Sequence, residues 1–195
     1  MKLLILFAYP ALEKSRVHKQ LIKGIDQLEQ VTFHDLYQAY PHFGIDIQQE
    51  QEMLLQNDII VFQHPVYWYS VPPLIKEWVD LVLEHGWAYG RTGSALQGKY
   101  WLHVLSTGAP AEAYLPGKFL NHTLRDFFLP MEYTAKLCKM QYLPPYAIQG
   151  THLITPEALV EHQKNCTNFL LIFHTITGSM KNIKLPLTCS TFLNL

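Results

Sequence analysis

Residues 58–90, DIIVFQHPVYWYSVPPLIKEWVDLVLEHGWAYG, constrain this chain more than any other stretch. A short apolar run over 59–62 leaves through Gln63, His64 and Pro65 into four consecutive bulky residues, Val66, Tyr67, Trp68 and Tyr69. A helix then opens between Ser70 and Pro73 and carries Leu74, Ile75, Trp78, Val79, Leu81, Val82 and Leu83 to about His85-Gly86. A strand that feeds a rigid loop and then a helix is how an open α/β sheet builds a ligand crevice at the carboxyl ends of its strands. The wide apolar face of this helix asks for the sheet on one side. On the other it asks for a second subunit or for one broad core contact.

The rest of the chain repeats the alternation. LLILFA over 3–8 is a continuous apolar run, as in a strand buried on both faces of a parallel sheet. Ser15 is placed to cap a helix with Val17, Leu21, Ile22, Ile25 and Leu28 on its apolar face. A second, more exposed strand follows over 31–37, and a polar-faced helix from about Asp46. Residues 99–106 read as the fourth strand, 123–138 as a helix offset at Pro130, and 146–150 as a last short strand. Thr155 and Pro156 open a final helix that runs to about His174. The order is that of a doubly wound α/β domain with right-handed crossovers, followed by a tail over 178–195 without period.

Composition excludes several classes. A formal net charge of -1 from 15 basic and 16 acidic residues leaves no electrostatic case for nucleic acid. Cys138, Cys166 and Cys189 are odd in number and far apart, and no signal peptide is evident, which reads as reduced thiols in a cytoplasmic protein. No apolar run approaches the ~20 residues of a membrane span. The ten histidines include no HxH or HxxxH pair, so they read as structural or surface scatter rather than a metal site. GxSxG, Walker and GxGxxG motifs are absent, which removes the main supports for hydrolase, nucleotide-phosphate and dinucleotide-fold readings.

Three loops at strand ends carry the candidate chemistry. In the first, Ser15, Arg16, His18 and Lys19 offer backbone N–H groups, a hydroxyl and positive charge to an anion; an ordinary capped helix with a solvated basic face has the same composition. In the second, the aromatic residues after Pro65 either line a planar ring or pack as core. Their place between His64-Pro65 and Pro72-Pro73 favours the ring. In the third, Ser106, Thr107 and Gly108 are small enough for backbone N–H groups to approach a heteroatom.

These blocks, together with LYQAYPHFGIDIQQEQ over 36–51 and MQYLPPYAI over 140–148, resemble the flavodoxin-like NAD(P)H quinone reductases. Within that family the nearest likeness is to the ancillary subunits of the glutathione-regulated (Kef) potassium efflux systems, over about residues 1–175. The resemblance implies a flavodoxin-like α/β domain over 1–177, with a five-stranded parallel doubly wound sheet and helices on both faces. It also implies a homodimer that binds FMN or FAD, FMN being slightly favoured, with NAD(P)H as co-substrate and a quinone as acceptor. A cytoplasmic protein peripheral to the inner membrane, where it activates an antiporter, is the implied setting. Carried over by position, Pro65, Val66, Tyr67, Trp68 and Tyr69 line the isoalloxazine, and Ser106, Thr107 and Gly108 reach its polar edge. Tyr9, Ser15, Arg16, Val17 and His18 hold the phosphate, and Tyr114 and Gly108 stand at the reacting face. Tyr9 replaces the family's His, and His18 its Asn. The alternative reading is a non-catalytic regulatory subunit in which flavin binding is weak or lost.

Overall fold

The computed structural model describes residues 1–175. The expected tail over 178–195, with the domain boundary at 177, lies outside them. Strand β1 (Leu3–Phe7) is buried along its whole length and sits between β2 (Val31–Asp35) and β3 (Ile59–Pro65), parallel to both. Strand β4 (Tyr100–Ser106) pairs with β3 over seven residues, from Ile59 beside Tyr100 to Pro65 beside Ser106. On the far edge of β4 lie two short strands, β5 (Gln141–Tyr142) and β6 (Tyr146–Ile148), both parallel to it. Together they occupy one fifth position, so the order is that of a flavodoxin-like sheet, 2-1-3-4-5.

The split in the fifth strand has a local cause. Leu143 still donates its amide to the Trp101 carbonyl at 2.8 Å, but Pro144 and Pro145 have no N–H to continue the ladder. Pairing resumes only at Tyr146. The single strand expected over 146–150 therefore begins earlier, in two pieces, and ends at Ile148.

Alternation along the strands divides the core between two faces. Leu4, Leu6, Ile60, Phe62, Trp101 and Leu105 form one apolar cluster with Leu36, Leu54, Leu74, Trp78, Phe128 and Met131. These come from α2 (Leu36–Ala39), α3 (Ile47–Gln56), α4 (Pro73–Val82), the 3-10 turn Asp126–Phe128 and α5 (Leu129–Leu137). Leu3, Ile5, Ile59, Val61, Leu102 and Val104 face the opposite layer, formed by α1 (Arg16–Leu21) and α6 (Pro156–Thr175) through Val17, Leu21, Leu159 and Phe169. Each fully buried side chain of this size contributes about 1.5–3 kcal/mol, so the two clusters dominate the folding free energy.

Several boundaries differ from expectation. Helix α1 stops at Leu21 because the chain turns at Gly24 (φ +77°) into a short 3-10 segment, Ile25–Gln27; Ile25 is buried all the same. Strand β2 ends at Asp35 because that carboxylate caps α2, accepting from the amides of Tyr37 and Gln38. Helix α4 ends at Val82 rather than near Gly86, and its wide apolar face is satisfied within one chain. Leu74, Ile75, Trp78, Val79 and Val82 are buried, while Lys76, Glu77 and Asp80 share the outside with Leu81. Cys138 and Cys166 are buried, and desolvation pushes the Cys138 thiol up to about 11, which keeps it protonated and unreactive. Among the described residues no helix is long and apolar enough to cross a membrane.

One buried carboxylate fastens α3 to α4 and β2. Glu50, fully buried, accepts from Trp78 Nε1 at 2.7 Å and Tyr40 Oη at 2.6 Å and lies 2.7 Å from His34 Nε2. Replacing it with alanine leaves these partners without their acceptor in a dry environment. We expect Glu50→Ala to lower unfolding stability by roughly 3–5 kcal/mol, read from denaturant curves. A loss below about 1 kcal/mol would show that the network is dispensable.

Candidate functional site

The loops that leave β1, β3, β4 and β6 meet at the carboxyl edge of the sheet. In the first, the Ser15 hydroxyl caps α1 by accepting the His18 amide at 3.0 Å. The amides of Arg16 and Val17, at the opening turn, have no intrahelical acceptor to reach. Arg16 donates to the carbonyls of Thr151 (3.1 Å) and Ile154 (2.6 Å), which ties this loop to the one after β6. Between them lies a cleft of about 360 Å³ lined by Tyr9, Lys14, Ser15, Arg16, Val17, Ser106, Thr151 and His152.

His18 does not line this cleft, contrary to expectation. Its ring is fully buried against Phe7 and Tyr9, and Nε2 lies 2.9 Å from Ser106 Oγ. Burial, with a smaller contribution from His64, lowers its pKa to about 3, so it brings no positive charge to the cleft at neutral pH. That charge comes from Lys14 and Arg16.

The second loop is an aromatic turn. Val66 continues the ladder by donating to the Ser106 carbonyl at 2.8 Å, after which Tyr67 and Ser70 exchange both backbone bonds at 3.0 Å. The two residues between them, Trp68 (φ +47°) and Tyr69 (φ +63°), are both left-handed. Positive φ at both central positions is the signature of a type I′ turn, a place for Asn-Gly rather than two aromatics. Each non-glycine residue there costs about 1–2 kcal/mol. Tyr69 stacks on Phe127 with ring centroids 5.3 Å apart, Tyr67 meets Tyr9 edge-on, and Trp68 is 92% exposed. Strain held at an exposed aromatic tip is characteristic of ligand-contacting segments.

The third loop is knitted to the β6 loop. Thr107 donates to the Ile148 carbonyl (2.9 Å) and accepts from Thr151 (3.0 Å), while the Gly150 amide reaches the Ala109 carbonyl at 2.9 Å. The Thr107 hydroxyl is also spent, on the Ala109 carbonyl at 2.7 Å. Of the three expected contact residues here, Ser106 lines the cleft, Thr107 is occupied internally, and Gly108 is exposed. A Cβ on Gly108 would stand 3.1 Å from His152 Nε2, so a side chain here would crowd the imidazole. Tyr114 is buried edge-on to Phe127 and lies outside the cleft; burial raises its pKa, opposed by the Thr107 hydroxyl. Beyond Phe127 a second, more apolar hollow of about 370 Å³ is lined by His122, Asp126, Phe127 and Leu129.

Lys14, Thr151 and His152 were missed in the sequence. The same rule that singled out three strand-end loops applies to a fourth, and the short run ending at Gly150 marks where it begins.

The family model for the flavodoxin-like fold matches residues 1–170. The chain belongs to the flavodoxin-like family. KefG, the ancillary protein of the glutathione-regulated potassium-efflux system of Enterobacter sp. (strain 638), is 44% identical over 163 residues, 84% of this chain and 89% of the relative. General stress protein 14 from Treponema denticola, solved in complex with FMN, is 34% identical over 91% of this chain and 100% of its own, with a TM-score of 0.82. An NADPH-quinone reductase from P. pentosaceus is 35% identical over 86% of this chain and 99% of its own, with a TM-score of 0.76.

Two outcomes follow from the buried groups and the strained turn. His18, His64 and His103 are all buried with depressed pKa values, about 3 for His18, about 4 for His64 and well below the usual value for His103. The unfolded chain takes up these protons from about pH 6.5 while the folded chain does not, so the stability they carry is present above that pH and lost as pH falls through the folded values. Unfolding stability should drop on the order of 4 kcal/mol between about pH 7.5 and 5.5, roughly 1.4 per histidine; a flat profile would contradict neutral burial. Trp68→Gly removes an exposed side chain and relieves a left-handed φ, so it should raise the unfolding midpoint, by about 1 kcal/mol in stability. A destabilised variant would mean that the indole packs.

Proposed function

We propose that this protein is a flavin-dependent NAD(P)H:quinone oxidoreductase, with FMN favoured over FAD, that works as a homodimer. We propose further that it docks as an ancillary subunit on a potassium-efflux antiporter at the cytoplasmic face of the inner membrane. The observation that carries the reading is the convergence, on one sheet edge, of a cationic cleft, a strained aromatic turn and the Gly108 loop. The relatives described as FMN-bound, as a quinone reductase and as KefG support it.

The residues fit a flavin. The cleft falls within the roughly 300–1,000 Å³ of small-molecule sites. His18 Nδ1 and both amide atoms of Gln63 are buried behind this edge without partners, and neither side chain lines the cleft. Ser15, with the amides of Arg16 and Val17 and the charges of Lys14 and Arg16, is the seat for a phosphate. The turn from Pro65 to Tyr69 supplies the wall against which an aromatic ring lies, and Trp68 its exposed flank. The Gly108 amide takes no part in the loop's internal bonds and is placed to donate to a heteroatom at the ring's polar edge. Tyr114 backs Phe127, which lines the hollow proposed for nicotinamide and quinone. When bound, a flavin supplies two-electron hydride acceptance and donation. The chain's own contribution is to hold reactants in register and to exclude water with Tyr9, Tyr67 and Tyr69.

One observation favours the second reading, a regulatory subunit with weak flavin binding. Of the basic groups near the phosphate seat, Arg16 is already held by two carbonyls and His18 is neutral and buried. Flavin content after reconstitution with FMN, measured with quinone-dependent NAD(P)H oxidation, decides between them. The enzyme reading predicts about one flavin per chain and turnover well above that of free FMN, with Trp68→Gly binding flavin at least about tenfold more weakly, the equivalent of one lost stacking contact. Protein that stays colourless after reconstitution excludes it.

A further inference from the structure

We infer that His64 is a positioning residue that fixes the aromatic turn from the interior of the sheet, through a hydrogen-bond chain that starts at Trp101. Trp101 Nε1 lies 2.8 Å from His103 Nε2, His103 Nδ1 lies 2.9 Å from His64 Nε2, and His64 Nδ1 lies 2.9 Å from the Pro65 carbonyl. All three side chains are buried, on the face of the sheet away from the phosphate cleft.

The chain has one self-consistent direction. An indole N–H is a donor only, so His103 Nε2 must accept. A neutral His103 then carries its proton on Nδ1 and donates to His64 Nε2. His64 in turn carries its proton on Nδ1 and donates to the Pro65 carbonyl. At the other end that carbonyl is an acceptor only, which demands the same order. Both tautomers are thereby set by two groups that cannot titrate, and the pair spends no proton on solvent. The ring packing agrees: His64 and His103 meet at 90° with centroids 5.1 Å apart, and Phe128 covers both.

The acceptor at the end of the chain gives the arrangement its consequence. Pro65 is the last residue of β3, and beyond it the ladder with β4 consists of one bond, Val66 to Ser106. By strand alternation the Pro65 carbonyl faces the β1 side, as the Gln63 carbonyl does in accepting from Ala8, and Pro10, two residues beyond Ala8, has no N–H to donate. The Pro65 carbonyl thus sits where sheet pairing has stopped and the strained turn has not begun. His64 grips it there and sets the peptide plane from which Tyr67, Trp68 and Tyr69 project. Without that donor, the left-handed pair at Trp68 and Tyr69 has a lower-energy extended alternative.

The hydrogen-bond order stands on its own; its effect on cofactor affinity rests on the flavin reading above. Nitrogen-15 spectra of the histidine rings in the whole protein test the first. Both His64 and His103 should appear as Nδ1–H tautomers, the minor form of free histidine, and Trp101→Phe, which leaves the Pro65 carbonyl to anchor the order, should keep both rings in that form. Either ring found as Nε2–H in the unmodified protein overturns the chain. Fluorescence titration with FMN and the midpoint potential of the bound flavin test the second, on variants first checked for folded circular dichroism. His64→Asn keeps a donor at the Nδ1 position and should bind FMN within about threefold of the unmodified chain, whereas His64→Gln, which reaches His103 but not Pro65, should bind about tenfold more weakly, one lost hydrogen bond. The midpoint potential should move in His64→Gln and return in His64→Asn, which a loss of stability alone would not produce. Equal affinity and potential in all three overturns the positioning role. If the unmodified chain takes up no FMN, the flavin reading fails, and the ring spectra still decide the hydrogen-bond order.

Discussion

The register between β3 and β4 is the constraint on which the rest depends. Pro65 comes to lie beside Ser106, so the loops that follow leave the sheet at the same height. Because side chains alternate, that register also decides which polar residues share a face. His64 and His103 meet under α5 and its preceding turn, whereas Ser106 lies on the α1 side, where His18 reaches it. A slip of one residue would send each of these side chains through the sheet and dissolve both contacts. The apolar residues of the two strands are what hold the register, so the hydrophobic core and the site are specified by the same pairing.

The carboxyl edge of the sheet is built against the grain of folding stability. Three neutral histidines are buried there, two bulky aromatics adopt a backbone conformation suited to glycine, and an amide side chain, Gln63, is left without partners. Elsewhere departures are scattered, at Gln30 and Lys139 in backbone angle and at Tyr142 and His162 in unpartnered atoms, while Glu50 is fully satisfied and the carboxylate of Glu132 is held below its usual range by Arg125 and Lys136. Several such departures converging on one edge are what a binding site imposes on a fold. The chain is similar to proteins described as an NADPH-quinone reductase and as a potassium-efflux ancillary protein.

Much of the fold could be read from pattern because buried parallel strands announce themselves. LLILF and IIVF have few other uses at their lengths, and Ser15, Asp46 and Thr155 are sequence-level helix starts whose side chains do cap in the structure. What could not be read depends on groups distant in sequence or on single backbone angles. Gly24 is a local stop signal for α1 that the apolar spacing of Ile25 and Leu28 overrides in the pattern, and nothing local says that Pro144 and Pro145 interrupt a strand instead of preceding it. The histidines were harder still. His103 sits in an apolar run, which is a signal of burial, but His18 lies among Ser15, Arg16 and Lys19 and gives none, and the partners of His18 and His64 lie 88 and 39 residues away. Spacing rules for metal sites do not detect such pairs. The inward turn of His18 is likewise set by Ser106, which the helix around it cannot reveal.

The central claim is that the first three strand-end loops form one flavin site. It is tested most directly by following backbone amide signals while FMN is added. The account predicts that Ser15, Arg16, Val17, the residues from Val66 to Tyr69, and Gly108 shift together along one saturable curve, with α3 and the outer face of α4 unmoved. Signals at these positions that stay fixed at saturating FMN, or shifts confined to a different surface, would contradict it.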